Sequence, residues 1–132
     1  MSLIASNEET SAPVEQAGSV QAVIAAAVHG LASAIAAAGN IKSNVIKTLG
    51  WQKGGVGLTS SQAGVLSVQR YLDQAGTIPV GAAITANLTA ATAAAVTWSD
   101  GLPCQSIQIE VTNSSGSTAA VLTGTTVLLQ AQ

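Results

Sequence analysis

A chain of 132 residues with 8% charged side chains, one histidine (His29) and one cysteine (Cys104) has little with which to do acid–base or nucleophilic chemistry. Catalysis needs at least two convergent groups with tuned pKa values, so composition argues against an enzyme, and no catalytic, cofactor-binding or metal-binding residue is assigned. The net charge of −2, with Lys42, Lys47, Lys53 and Arg70 as the whole cationic set, argues against a nucleic-acid groove, and a lone cysteine excludes an internal disulfide.

Residues 1–18 are polar and acidic, carrying Glu8, Glu9, Pro13 and Glu15, and read as an extended arm. No basic segment precedes an apolar run here, so the stretch does not resemble a secretory signal.

Residues 19–50 are expected to form two helices. Ser19 caps the run VQAVIAAAVHGLASAIAAAG, and Gly39-Asn40 stops it. Val20, Ile24, Val28, Leu31 and Ile35 then step by four, three and four residues along one narrow stripe, with alanines over most of the remaining surface. Asn40 caps a second, shorter helix whose face is Ile41, Val45, Ile46 and Leu49, and Gly50 ends it. His29 reads as a helix-surface or satisfied core residue rather than a ligand.

The stripe leaves three roles open. Copies bundle through it, or residues 20–38, which lack Asp, Glu, Lys and Arg, cross a bilayer, or the helix docks on the remainder of the chain. Five large aliphatic residues at about −0.3 to −0.6 kcal/mol each make a weak span, which favours the bundled or docked helix.

Residues 51–63 hold glycines at 54, 55 and 57 and read as a hinge. GxxxxGK[ST] is absent, so they do not form a phosphate loop. From Gly64 onward the period becomes two. Strands are expected over 65–72, 84–90 and 93–98, and over SIQIEVT, which turns Ile107, Ile109 and Val111 inward against Gln108, Glu110 and Thr112. NSSGS (113–117) closes a hairpin to one or two final strands, which gives residues 64–132 as an antiparallel β-domain, jelly-roll-like or Ig-like. The fold class is therefore α+β, with N-terminal Ala-rich helices before a small β-sandwich.

The remaining polar residues read as structural. Arg70 is a partner for Asp73, for Glu110 or for a neighbouring subunit. Cys104 beside Pro103 is a small, at least half-buried hydrophobe. Trp51 and Trp98 are the best aromatic anchors for an interface, beside the stripe Val20, Ile24, Val28, Leu31 and Ile35. Apolar residues make up 48% of the chain but aromatics only 2%. An alanine-rich core buries little area per residue, so burial between subunits is the natural supplement.

An acidic arm, an Ala-rich segment, a glycine hinge and a Thr/Ala/Gly-rich β-region resemble minor virion proteins of tailed bacteriophages, of the head-decoration (cement) or head-fibre type. SVQRYLDQAGTIPVGAAITANLTAATAAAVTW and DGLPCQSIQIEVTNSSGS carry that resemblance in texture rather than by a motif. It implies a non-enzymatic homo-oligomer, often a trimer, that decorates or stabilises a capsid, with partners in its own copies and another virion protein. The expected location is the virion, with the host cytoplasm before assembly. No cofactor and no nucleic-acid partner is expected. The alternatives are a membrane-inserted virion or envelope protein, with 20–38 in the bilayer, and an adhesive or carbohydrate-binding sandwich.

Overall fold

The structure, a computed structural model, describes residues 20–131. The arm expected over residues 1–18 and the cap Ser19 lie outside the described residues. The elements in chain order are β1 (Gln21–Val23), one helical turn α1 (Ala26–His29), β2 (Ala34–Ile35), β3 (Asn40–Lys42), β4 (Ile46–Lys47), β5 (Lys53–Ser60), β6 (Gly64–Tyr71), β7 (Ile84–Leu88), β8 (Ala93–Trp98), β9 (Ser106–Asn113) and β10 (Ala120–Gln130). They form two five-stranded antiparallel sheets. One runs β1-β10-β5-β8 with β2 also on β10, and the other runs β3-β9-β6-β7 with β4 also on β9.

β1 and β2 share one edge of β10, and β3 and β4 share one edge of β9, so each pair is a single interrupted strand. Counted that way, the first strand pairs with the last, the second with the one before it, β5 with β8 and β6 with β7. The connections 36–39, 61–63, 89–92 and 114–119 gather at one end of the sandwich. The longer 48–52, 72–83 and 99–105 gather at the other.

The expected N-terminal helices are not formed. Of the described residues 20–39, only Ala26–His29 are helical, and Gly30 ends that turn in the left-handed region at φ 61°. The second expected helix is replaced by β3 and β4, whose Ile41 and Ile46 stand opposite Val111 and Ile107. The cause is tertiary. An alanine-rich helix gains most of its stability from a packed face, whereas β10 and β9 each offer an edge of unpaired N–H and C=O groups. Ile24 N–H donates to Val127 O and Ser43 N–H to Ile109 O, each 2.8 Å, which continues the ladders between the short strands. No helix among the described residues is long and apolar enough to cross a membrane, so a helical span over 20–38 is likewise corrected.

The expected hinge is also revised. Lys53–Ser60 is an interior strand with β10 on one side and β8 on the other. Gly55 and Gly57 alternate with Val56 and Leu58, both in the core. Gly54 faces inward beneath the Trp98 indole, where any Cβ would collide with the ring. The expected 113–117 hairpin is a crossover, because β9 and β10 lie in different sheets.

The expected β7, β8 and β9 all form, and Ile107, Ile109 and Val111 point inward as the alternation requires. Leu66 and Val68 from β6 and Leu122, Val127 and Leu129 from β10 join them in one core. Inward positions on β10 change from even to odd numbers across an irregularity between Thr123 and Thr126, where Gly124 adopts φ 65°. One extra residue there resets the face without breaking the strand.

Candidate functional site

Arg70 follows Leu66 and Val68 on the inward side of β6, at the end of the sandwich where the long loops gather. Its guanidinium meets Asp100 in the β8–β9 loop rather than Asp73 or Glu110, with Nη1–Oδ1 at 2.6 Å and Nη2–Oδ2 at 2.9 Å. Asp100 also accepts from Leu102 N–H at 3.2 Å. Hydrogen bonding to Arg70 is the main cause that holds the Asp100 carboxyl down to about 2, and the same bond raises the Arg70 pKa. Arg70 Nε is buried and has no hydrogen-bond partner among the described residues.

Asp73 organises the adjoining loop by accepting from Thr77 Oγ1, from Thr77 N–H and from Ile78 N–H. The Thr77 hydroxyl and then the Ile78 amide lower its pKa to about 2. Both carboxylates are thus committed to turn geometry. Cys104 is half-buried, with Sγ 3.6 Å from Thr48 Oγ1. A cleft of about 310 Å³ opens nearby, between residues 50–52 and 101–104. Leu49, Leu72, Ile78 and Leu102 are exposed around this end. Among the described residues, no three His, Cys, Asp or Glu side chains cluster as a metal site would require.

The two outer faces differ sharply. The sheet containing β9 shows Asn40, Lys42, Ser67, Gln69, Thr85, Asn87, Gln108 and Glu110, with half-buried Val65 and Tyr71 among them, Lys42 in register with Glu110 and Asn40 Nδ2 donating to Glu110 Oε2. Polar side chains of that kind suit water. The sheet containing β10 instead shows Gly55, Gly57 and Thr59 on β5 and Ala93, Ala95 and Thr97 on β8, paired in register across the two strands. Lys53 at one end is the only charge along these outward positions.

The part of this strip from Gly57 to Thr59 and from Ala93 to Ala95 lines a shallow trough of about 380 Å³, bordered on the β10 side by Gly124 and Thr126. Beyond it, Val23 on β1 stands opposite Leu128 on β10 as a raised apolar ridge, and Val23 is 71% exposed. Neither backbone strain nor lack of room demands a glycine at position 57. Its φ lies outside the left-handed region, and an added Cβ would sit 3.5 Å from Ala94 O and 3.7 Å from Ala95 Cβ, which is ordinary contact. Gly57 pairs with Thr126 beside the irregularity in β10, and a strand-interior glycine often marks either such a bulge or a place where another backbone or ligand comes close.

The residues expected to form an interface are scattered rather than aligned. Ile35 and Trp98 lie in the core, while Ile24, Leu31 and Trp51 pack against it partly buried. Val20 and Val28 are exposed. His29 is buried at the end of α1, where its Nδ1 accepts from Leu31 N–H at 3.0 Å. The trough and ridge were missed by sequence reasoning. Their signal is the alternation of Gly55, Gly57 and Thr59 with Val56 and Leu58, and of Ala93, Ala95 and Thr97 with Val96 and Trp98.

No protein-family model matches this chain, and no curated protein sequence does.

Proposed function

We propose that this chain is a non-enzymatic structural protein of a virion, which decorates or stabilises a phage capsid as a homo-oligomer built on a jelly roll. The observation that carries the reading is the strand pairing, first with last and inward to β6 with β7, which is how an eight-stranded antiparallel ribbon rolls into a two-sheet jelly roll. That architecture is at home in viral capsid proteins, in lectins and in cupins. Fold alone does not decide among them, so the surfaces must. Among the described residues the core is mainly Val, Leu and Ile and no three potential metal ligands cluster, and Tyr71 is the one aromatic side chain at an outward strand position. One outer face instead carries mainly small and apolar side chains, with Lys53 its one charge along β5 and β8, which suits protein packing.

In this role the protein acts by mass action: a subunit that binds only the assembled shell stabilises it. Its partners are its own copies and a capsid or other virion protein, and it passes through the host cytoplasm before assembly. Mass spectrometry of density-gradient-purified virus particles from the culture that produces the chain tests this. The expected result is a fixed copy number per particle that withstands a second gradient. Particles free of the chain would overturn the proposal.

A further inference from the structure

The two faces of the sandwich are built to different rules, and only one of them lacks a reason to face water. Along the β5–β8 side of that face, Gly55, Gly57, Ala93 and Ala95 leave the backbone nearly bare. Along the β1–β10 side, Val23 and Leu128 rise above it. Ridge and trough therefore lie side by side on one surface, separated by about one strand spacing of 4.8 Å.

We infer that this face is a two-fold contact between copies of the chain, in which β10 of each copy seats over β5 of the other and the ridge residue Val23 falls over Thr97 on β8. A two-fold axis along the strand direction exchanges left and right while keeping each level along the strands. Leu128, Gly55 and Thr97 share one level, and Thr126, Gly57 and Ala95 share the next. The operation thus sets Leu128 over Gly55 and Thr126 over Gly57, in both directions at once, which is the self-complementarity an isologous interface requires.

The absence of acidic residues from the outward positions removes like-charge repulsion between copies, and the lone Lys53 lies at the end of the strip. Four strands spaced by about 4.8 Å, with β5 eight residues long at about 3.3 Å each, present roughly 500 Å² in projection. Two copies then bury about 1,000 Å², the lower bound for a specific interface. Gly57 gains a reason here: a side chain on it would hold the two sheets apart. The inference deepens the self-association part of the proposed function, and it favours an even-numbered assembly over the three-fold one that the family resemblance implies.

The experiment is light scattering after size exclusion, with sedimentation equilibrium, on the full chain and on Gly57→Lys, Thr126→Lys and Thr85→Lys. Thr126 is exposed on the face in question, and Thr85 is exposed on the opposite sheet. The expected result is a wild-type dimer whose dissociation constant rises at least about 30-fold in Gly57→Lys and Thr126→Lys, the loss a central interface position produces, while Thr85→Lys keeps the wild-type value. Circular dichroism confirms that each variant is folded, and Thr126→Lys carries the test if Gly57→Lys is not. A monomeric wild type, or an oligomer that both face variants leave intact, would overturn the inference. Neither result touches the particle-composition test above, so the two readings fail separately. A monomeric wild type that binds purified particles through this face would assign it to a capsid partner instead of a second copy.

Discussion

Arg70 and Asp100 join the two sheets through a pair of parallel bonds, Nη1 to Oδ1 at 2.6 Å and Nη2 to Oδ2 at 2.9 Å. Arg70 belongs to β6 in one sheet, and Asp100 follows β8 in the other. The carboxylate is half exposed while the guanidinium is buried, so the pair is worth most to the arginine, which has no other counter-charge within salt-bridge reach among the described residues. Replacing Asp100 leaves a buried cation alone, the costly way to break such a pair.

The acid response follows from the same geometry. Asp100 and Asp73 both have pKa values lowered to about 2. A carboxyl lowered in the folded state contributes stability that is fully present above its unfolded pKa, about 3.9, and is lost as pH falls through the folded value. Urea midpoints measured from pH 6 to pH 2 should therefore hold down to about pH 4 and fall below it. Asp100→Asn should lower the midpoint at pH 6 and flatten part of the acid slope. A variant profile parallel to the wild type over the whole range would mean that the ion pair contributes nothing to folding.

Asn113 ties three segments together at the opposite end of the sandwich. Its Nδ2 donates to Ala36 O at 3.2 Å and Thr118 O at 2.8 Å, and its Oδ1 accepts from Ser115 N–H at 3.0 Å. The residue is 2% exposed, so truncation empties a buried site and removes the amide bonds to Thr118 O and Ser115 N–H, while Ala36 O keeps its bond from Gly39 N–H. Asn113→Ala should cost about 1–3 kcal/mol, read as a lower urea midpoint at unchanged slope. A loss below about 0.5 kcal/mol would show that water replaces the amide there.

Ile35 and Val28 separate the sequence expectation from the fold. A bundling stripe would make both residues matter to association and neither essential to the lone chain. In the structure Ile35 is 1% exposed and Val28 is 53% exposed. Ile35→Ala should therefore destabilise the folded chain by about 2–5 kcal/mol, as core truncations do, while Val28→Ser stays within about 0.5 kcal/mol. Equal, small effects on unfolding would restore the stripe as a surface feature.

How legible the fold was depended on what each segment could satisfy locally. β8 and β9 were readable because their alternation and bounding turns are internal to the segment, and Ile107, Ile109 and Val111 fall inward by period alone. Residues 20–47 were not, because alanine propensity and i, i+4 spacing favour a helix until the open edges of β10 and β9 are known. The glycines at 54, 55 and 57 suggested a hinge for a similar reason. Their explanation lies on other strands, in the Trp98 ring over Gly54 and the Ala95 beside Gly57. Arg70 was recognised as an ion-pair former, but its partner depended on where the β8–β9 loop folds back. The trough itself was written in the sequence as small residues at alternate positions, a pattern that has no meaning until the strand's outer face is identified.

Gly54 and Gly57 give the sharpest contrast within one strand. Both lie on β5 with φ outside the left-handed region, so neither is needed for backbone reasons. Gly54 faces the core, and a methyl group there meets the buried Trp98 ring, so Gly54→Ala should destabilise by about 1–3 kcal/mol through overpacking. Gly57 faces outward with ordinary room for a methyl group, and alanine there reduces the freedom of the unfolded chain. Gly57→Ala should accordingly stabilise the single chain by about 0.4–1 kcal/mol, measured by urea unfolding at a concentration low enough to keep it monomeric. The same substitution should weaken self-association, because the methyl group stands where the neighbouring Thr126 is seated. Opposite signs for folding and association at one residue are the signature of a glycine kept for a partner. If Gly57→Ala destabilised the isolated chain instead, the residue would be explained by its own sheet, and the outer face would lose its strongest claim to a second copy.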